Sequence, residues 1–198
     1  PVAFVNQCGG NDELVFDGGS MLFDSDGACR SRGPLFREAL LTEDMVFKGE
    51  SAPGIPASAR IEKAGRPRRA IEMPACPDMS EDAEVLEALV VGTRDYIRKN
   101  GFGRVVLGLS GGIDSTLVAA VAVRALGPEN VVGVTMPSKY TSDGTRSDAE
   151  ILANNLGIEF HEIPVAAAFD AFRGSLAPLF EGRDEDVTEE NLQARVRG

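Results

Sequence analysis

The residues best suited to chemistry form a glycine- and serine-rich stretch. They are Gly108, Leu109, Ser110, Gly111, Gly112, Ile113, Asp114 and Ser115. Adjacent glycines let a backbone approach an anion closely, and serine hydroxyls can donate hydrogen bonds to it. Asp114 repels an anion, so we expect its carboxylate to hold a magnesium ion that bridges phosphate oxygens. The stretch therefore predicts a phosphate-binding loop with one metal-binding carboxylate.

This loop differs from the two best-known nucleotide-binding patterns. No lysine follows the glycines, so it is not a GxxxxGK[ST] loop, and it lacks the GxGxxG spacing of dinucleotide-binding redox enzymes. A plain turn of small residues is the alternative interpretation, because Gly-Gly turns are common. A position between a strand and a helix favours anion binding, since the start of a helix offers N–H groups and the positive end of the helix dipole.

The elements around the loop alternate between strand and helix. Hydrophobic periodicity predicts, in chain order, strand 105–109, helix 116–126, strand 131–136, helix 145–156, strand 158–163 and helix 165–172. An amphipathic helix precedes them; it begins after Asp78 or Ser80, either of which can cap it, and ends at Asn100-Gly101. This order predicts an α/β fold with a doubly wound parallel sheet, in which ligands bind at the carboxyl ends of the strands.

The first part of the chain has a different character. Short apolar runs at 2–5 and 14–16, with turn-forming clusters at 17–20 and 24–27, predict a strand, a loop and a hairpin. A breaker-rich stretch follows, and it contains the basic residues Arg60, Lys63, Arg66, Arg68 and Arg69. We interpret residues 48–79 as a solvated linker, with contact between the basic cluster and a phosphate-bearing ligand as the alternative.

Composition narrows the classes of function. The 198 residues carry a formal net charge of -11, which argues against a general nucleic-acid binder. No apolar run approaches the roughly 20 residues of a membrane span. Three widely spaced cysteines and the single histidine, His161, offer no zinc-binding set. We therefore expect a cytoplasmic protein with reduced thiols and small-molecule ligands, and with neither a nucleic-acid nor a membrane partner.

Residues 110–115 resemble the PP-loop of the ATP pyrophosphatases, whose fold is adenine nucleotide alpha hydrolase-like. These enzymes cleave ATP between the α and β phosphates and adenylate an acceptor oxygen. The resemblance implies ATP and Mg2+ as ligands, with residues 108–115 and Met136 at ATP and Asp114 at the metal. The PP-loop alone does not choose among asparagine synthetase, GMP synthetase, tRNA-modifying enzymes and NAD synthetase.

Other segments resemble the glutamine-dependent NAD synthetases. Residues 188–198 are similar to an ENxQARxRG motif, which implies that Asn191, Gln193 and Arg195 contact deamido-NAD. On a helix, Asn191 and Arg195 share one face, as do Gln193 and Arg197. Spacing alone favours an exposed polar helix, so the resemblance carries this assignment. Similarity to the synthetase also covers residues 136–142 and 147–157, and residues 5–20 are similar to the late part of a nitrilase-like glutaminase domain.

The resemblance implies three regions. Residues 1–47 would be the C-terminal β part of a nitrilase-like α/β sandwich, residues 48–79 the linker and residues 80–198 the N-terminal part of the synthetase domain. The family's glutaminase Cys, Glu and Lys would precede residue 1, and a TGNKSE-like segment would follow residue 198. We therefore expect the middle of a longer enzyme, with no glutaminase catalytic residue in this chain.

The implied activity is that of a ligase, a glutamine-hydrolysing NAD synthase. It would amidate deamido-NAD to NAD through an adenylate, using ATP and ammonia released from glutamine, and we expect a homo-oligomer. One alternative is another PP-loop ATP pyrophosphatase such as GMP synthetase, although the nitrilase-like segment speaks against it. The other alternative is a non-catalytic nucleotide-binding fragment.

Overall fold

The computed structural model describes residues 1–44, 78–137, 143–180 and 187–197. The chain divides into two compact units, residues 1–92 and residues 93–198. The predicted linker, including its basic cluster, lies outside the described residues as far as position 77. Residues 138–142 and Gly198 also lie outside them. None of the described helices is long and apolar enough to cross a membrane.

The first unit begins with short antiparallel strands. They are β1 (Val2–Phe4), β2 (Cys8–Asn11), β3 (Leu14–Asp17), β4 (Met21–Phe23) and β5 (Cys29–Arg32). One sheet has the order β1-β4-β5, and β2 pairs with β3 in a separate hairpin. The predicted strands near 2–5 and 14–16 are present, and the Asp24 carboxylate stabilises the turn between β4 and β5 by accepting hydrogen bonds from the amides of Asp26 and Ala28, both at 2.9 Å.

Strand β2 was not predicted, because it contains Gly9 and Gly10, which weaken strand propensity. It forms because all four of its residues pair with β3 across a tight turn. Asp12 supplies that turn with a positive φ of 52°, a conformation that Asp tolerates better than most residues. Pairing across the hairpin thus overrides local propensity here.

Helix α1 (Glu81–Lys99) follows the expected capping pattern. Of the two candidate caps, Ser80 is the one used: its hydroxyl accepts a hydrogen bond from the amide of Ala83 at 3.3 Å. Acidic residues occupy the first turn, where the helix dipole favours them. The chain leaves the helix at Gly101, whose φ of 77° suits glycine.

The second unit contains the predicted parallel sheet. Its remaining elements are β6 (Val105–Gly108), α2 (Ile113–Leu126), β7 (Val131–Thr135), α3 (Asp143–Leu156), β8 (Glu159–Glu162), α4 (Ala166–Leu176) and α5 (Val187–Arg197). The strand order is β6-β7-β8, with both pairs parallel. The α/β prediction is therefore confirmed, but α2 begins at Ile113 rather than at Thr116. Asp114 and Ser115 consequently belong to the first turn of α2.

The core of this unit lies between one face of the sheet and the helices α2 and α3. Strand residues on this face alternate with those on the other, as in any pleated strand. Small side chains at the helix contacts let the helices approach the sheet closely: Ala119, Ala122, Ala149 and Ala153 are 5% exposed or less. The core therefore fixes α2, and with it the loop that precedes α2.

An ion-pair cluster links the amino ends of β6 and β8. The Arg104 guanidinium lies 2.5 Å from one Glu159 oxygen, and His161 Nε2 lies 2.7 Å from the other. The pKa of the Glu159 carboxyl is held below its usual value by two hydrogen bonds, of which that from Arg104 has the larger effect and that from His161 the smaller. The cluster stabilises the folded sheet above the ordinary glutamate pKa, and this contribution is lost as pH falls through the lowered pKa.

We predict that Gly133→Ala destabilises the protein. A Cβ at Gly133, in β7, would lie 2.6 Å from Leu109 Cδ1 and 3.2 Å from Ile158 Cδ1, and both of those residues are buried in the core. Overpacking of this kind costs about 1–3 kcal/mol of unfolding free energy, measured by urea denaturation. The control is Gly103→Ala, because a Cβ there meets nothing within 4 Å. Equal effects of the two substitutions would contradict the packing argument.

Candidate functional site

The predicted phosphate loop connects β6 to α2 at the carboxyl edge of the sheet. The Leu109 amide donates a hydrogen bond to the Val134 carbonyl at 2.8 Å, which extends the pairing of β6 with β7 by one residue. The chain then turns at Gly111, whose φ of 75° is readily adopted only by glycine. The loop thus lies at the edge where open parallel sheets bind their ligands.

Hydrogen bonds within the loop fix its shape. The Ser115 hydroxyl donates to the Gly112 carbonyl at 3.0 Å and accepts from the Ser110 amide at 3.3 Å. The Ser110 and Ser115 hydroxyl oxygens are 3.1 Å apart. The Ser115 hydroxyl proton is already donated to the Gly112 carbonyl, so the Ser110 hydroxyl is the donor of this pair. The Ser110 oxygen also accepts a hydrogen bond from the Gly112 amide at 3.3 Å. These hydrogen bonds hold Ser110, Gly112 and Ser115 in a fixed arrangement.

The start of α2 offers backbone N–H groups to this loop. Gly112 is the N-cap residue, with φ -84° and ψ 162°, and it has no side chain with which to cap the helix. The N–H groups of the first turn point out of the helix start, where the helix dipole also places positive potential. This geometry suits an anion without requiring a lysine in the loop.

Asp114 lies in the first turn of α2, with its side chain exposed. Among the residues that the structure describes, no group of three or more His, Cys, Asp or Glu side chains is placed to hold a metal ion. A single carboxylate nevertheless fits magnesium, which proteins hold through one or two carboxylates together with substrate phosphates and water. Asp114 is therefore compatible with the expected magnesium ion when a phosphate ligand completes the coordination.

Met136 lies beside the loop, directly after β7. A Cβ built on Gly108 would lie 3.9 Å from Met136 Cε, so the ends of β6 and β7 bring these two residues together. Their proximity follows from the parallel register, in which Gly108 is opposite Val134. The sequence-predicted ATP residues are thus adjacent in the structure.

The three residues predicted to contact deamido-NAD do not share one face of α5. Asn191 and Arg195 are exposed, whereas Gln193 is only 5% exposed. At 3.6 residues per turn, Gln193 lies on the face opposite the other two. Gln193 was expected to face the substrate, but its side chain is buried. The face of α5 that carries it packs against the rest of the unit.

Arg197 connects α5 to the end of β7, although it was not among the predicted site residues. Its Nε donates a hydrogen bond to the Met136 carbonyl at 3.1 Å. The only indication of Arg197 in the sequence was its spacing of four residues from Gln193, which places the two side chains on one face of the helix. The acceptor could not be predicted from the sequence, since a backbone carbonyl leaves no side-chain pattern.

The profile of the NAD synthase family matches residues 85–198 of the chain. This match covers more than half of the 198 residues and includes the loop, Met136 and all of α5.

The chain belongs to the NAD synthase family.

Individual members of the family resemble the whole chain. The glutamine-dependent NAD(+) synthetase of Thermotoga maritima is 45% identical, with 100% of this chain and 37% of that protein covered. The protein of the same name from Synechocystis sp. is 43% identical, over 100% of this chain and 32% of that protein. The chain thus spans about a third of the length of these curated relatives.

A solved structure gives the same result for the fold. The glutamine-dependent NAD+ synthetase of Acinetobacter baumannii, in complex with ADP, superposes with a TM-score of 0.78 at 35% sequence identity. The alignment covers 98% of this chain and 34% of that one. The resemblance to the glutamine-dependent NAD synthetases is therefore confirmed, as is the α/β fold.

We predict that Ser115→Ala loosens the loop of this NAD synthase family member. The substitution removes the acceptor of the Ser110 amide, whose hydrogen exchange should accelerate about fivefold, because a typical hydrogen bond contributes about 1 kcal/mol. The control is Thr116→Val, since the Gly112 carbonyl would keep its bond from the Thr116 amide at 3.1 Å. Exchange at Ser110 that is unchanged in the alanine variant would contradict the assigned hydrogen-bond network.

Proposed function

We propose that this chain provides the ATP-binding and amidating part of a glutamine-dependent NAD synthetase. The reaction is the ATP-dependent amidation of deamido-NAD to NAD, and the nitrogen comes from glutamine-derived ammonia. The observation that carries the proposal is the SGGIDS loop, formed between a strand end and a helix start. Similarity along the whole chain to synthetases of that name supports it.

The chemistry requires activation of a carboxylate, because oxide is too poor a leaving group for direct amidation. In the first proposed step, a nicotinate carboxylate oxygen attacks the α-phosphorus of ATP. The bond from that phosphorus to the α–β bridging oxygen breaks, and pyrophosphate leaves with the electron pair. In the second step, ammonia attacks the acyl carbon and loses a proton, and AMP leaves.

The loop would stabilise the negative charge that builds up on the departing pyrophosphate. Donors fixed before the reaction act without reorganisation when the charge develops. The backbone N–H groups at the start of α2 would supply such donors, and the hydrogen bonds of Ser110 and Ser115 hold the loop that leads into them. Leu109 and Met136 would border the nucleotide at the strand ends.

Asp114 would hold a magnesium ion against the phosphate oxygens. When bound, the ion supplies further charge stabilisation to the phosphates. The contribution of the chain is an exposed carboxylate in the first turn of α2, adjacent to the N–H groups that would face the phosphates. The local pairing of one carboxylate with several donors suits a phosphate–magnesium ligand better than it suits phosphate alone.

Helix α5 would supply the contacts to deamido-NAD. Asn191 and Arg195 offer amide and guanidinium donors from one exposed face, and such groups suit a polar, charged dinucleotide. The burial of Gln193 favours a role in seating the helix over direct contact with the substrate. The assignment to α5 therefore rests on two exposed side chains and one buried support.

The remaining features of the larger enzyme follow from the family resemblance. Residues 1–47 would belong to a nitrilase-like glutaminase part, residues 48–79 to the linker and residues 80–198 to the synthetase part. Ammonia would come from glutamine hydrolysed in the glutaminase part. The enzyme would be a homo-oligomer in the cytoplasm.

Two rival functions make different predictions. A GMP synthetase would amidate a xanthine nucleotide, but the similarity of this chain to NAD synthetases does not favour it. A non-catalytic nucleotide-binding module would bind ATP and release no pyrophosphate. One assay therefore separates all three functions.

We predict that the full-length protein, given ammonia, magnesium, ATP and deamido-NAD, forms NAD together with AMP and pyrophosphate. The products follow from attack at the α-phosphorus, and chromatography with a pyrophosphate assay measures them. Release of ADP and orthophosphate as primary products would contradict the PP-loop assignment. Amidation of a xanthine nucleotide in place of deamido-NAD would favour the GMP synthetase alternative.

We predict that Asp114→Asn slows ammonia-dependent NAD formation at least about tenfold, through lost metal charge stabilisation. Glutamine hydrolysis should remain largely intact, because Asp114 is assigned only to the synthetase step. The control is Asp170→Asn on α4, which removes an exposed carboxylate outside the loop. An unchanged rate with unchanged magnesium dependence would reduce Asp114 to a structural role at the start of α2.

A further inference from the structure

The end of β7 carries one carbonyl that the strand pairing cannot satisfy. Successive carbonyls of an extended strand point to opposite sides in the plane of the sheet. The Val134 carbonyl accepts from Leu109 on the β6 side, and the Thr135 carbonyl accepts from Ile163 on the β8 side, at 2.8 and 2.9 Å. The next carbonyl, that of Met136, therefore faces the β6 side.

On that side the backbone has already turned away into the loop. Leu109 is the last residue of this segment to donate to β7, and Gly111 redirects the chain towards α2. Arg197 takes the next position instead: its Nε donates to the Met136 carbonyl at 3.1 Å. A side chain from α5 thus continues the row of hydrogen bonds where β6 ends, immediately beside the loop.

Little of helix α5 is buried. It has 11 residues, and its only buried side chain is the polar Gln193. A helix of this length is marginal by itself in water, so it depends on tertiary contacts. Gln193 and Arg197 lie on one face of α5, and the exposed pair Asn191 and Arg195 lies on the opposite face.

We propose that Arg197 is a positioning residue for the acceptor substrate. Its hydrogen bond to the Met136 carbonyl fixes the end of α5 to the strand end beside the phosphate loop. Asn191 and Arg195 are thereby held at a set distance from the phosphates of ATP. This inference rests on the proposed function, because it assigns those two side chains to deamido-NAD.

The two substrates should respond differently to the loss of this tether. The loop is held by the Ser110 and Ser115 hydroxyls and by the bond from Leu109 to Val134, none of which involves Arg197. ATP binding should therefore persist when Arg197 is replaced. Deamido-NAD binding should weaken, because α5 then loses its hydrogen bond to the end of β7.

The test replaces Arg197 with Met in the full-length protein, which keeps an apolar stem and removes the donor. The KM for deamido-NAD should rise about five- to tenfold in the ammonia-dependent reaction, the range expected for a lost hydrogen bond of this kind. The KM for ATP should change less than about twofold. The matched control is Arg98→Met, because Arg98 is also an exposed arginine in the last turn of a helix.

Three further measurements separate tethering from a general charge effect. Amide exchange in residues 187–197 should accelerate in the Met variant, whereas exchange in residues 109–115 should not. Arg197→Lys, which keeps a donor on a similar stem, should recover most of the lost affinity. Added guanidinium ion should not restore the Met variant, since a free ion connects α5 to nothing.

The outcomes that overturn the inference are distinct from failure of the proposed function. A wild-type protein that makes no NAD from deamido-NAD, ATP and ammonia would remove the proposed function itself. With an active wild type, an unchanged KM for deamido-NAD in the Met variant would refute the tether. Equal losses for both substrates, a Lys variant as impaired as Met, or rescue by guanidinium would also refute it.

Discussion

The last hydrogen bond between β6 and β7, from the Leu109 amide to the Val134 carbonyl, is the constraint on which the site depends. It fixes where β6 stops and therefore where the loop begins. The position of the loop's later features follows from that point: the turn at Gly111 and the start of α2 at Ile113. Val131 and Ala119, both fully buried, hold the strand and the helix on either side of this point. A shift of either element would move the N–H groups that we propose face the phosphates.

The proposed site would allow an acidic protein to bind an anion. The chain has a net charge of -11, and its loop contains no lysine or arginine. The attraction is local: it comes from backbone N–H groups and the helix dipole, whose effect falls off within the first turn. Net charge therefore excludes an extended polyanion without excluding a phosphate group.

The sequence predicts those parts of the fold that depend on local patterns. Apolar runs predict β6, β7 and β8. The two candidate caps Asp78 and Ser80 predict the start of α1, and the glycine-serine stretch predicts the loop. The prediction was less complete where strand pairing or side-chain packing determines the structure. Strand β2 forms through its partner despite two glycines, and Gln193 is buried because of the face of α5 on which it lies. The bond from Arg197 to a backbone carbonyl leaves no pattern in the sequence.

The central claim is that the loop holds the pyrophosphate of ATP while the acceptor carboxylate attacks the α-phosphorus. Transfer of oxygen isotope tests it most directly. Deamido-NAD labelled with 18O in its nicotinate carboxylate is converted by the full-length protein, and the AMP formed is examined by mass spectrometry. The account predicts one 18O atom in the phosphate of AMP, because the adenylate transfers that oxygen when ammonia displaces it. Unlabelled AMP, or label found in orthophosphate, would contradict the account.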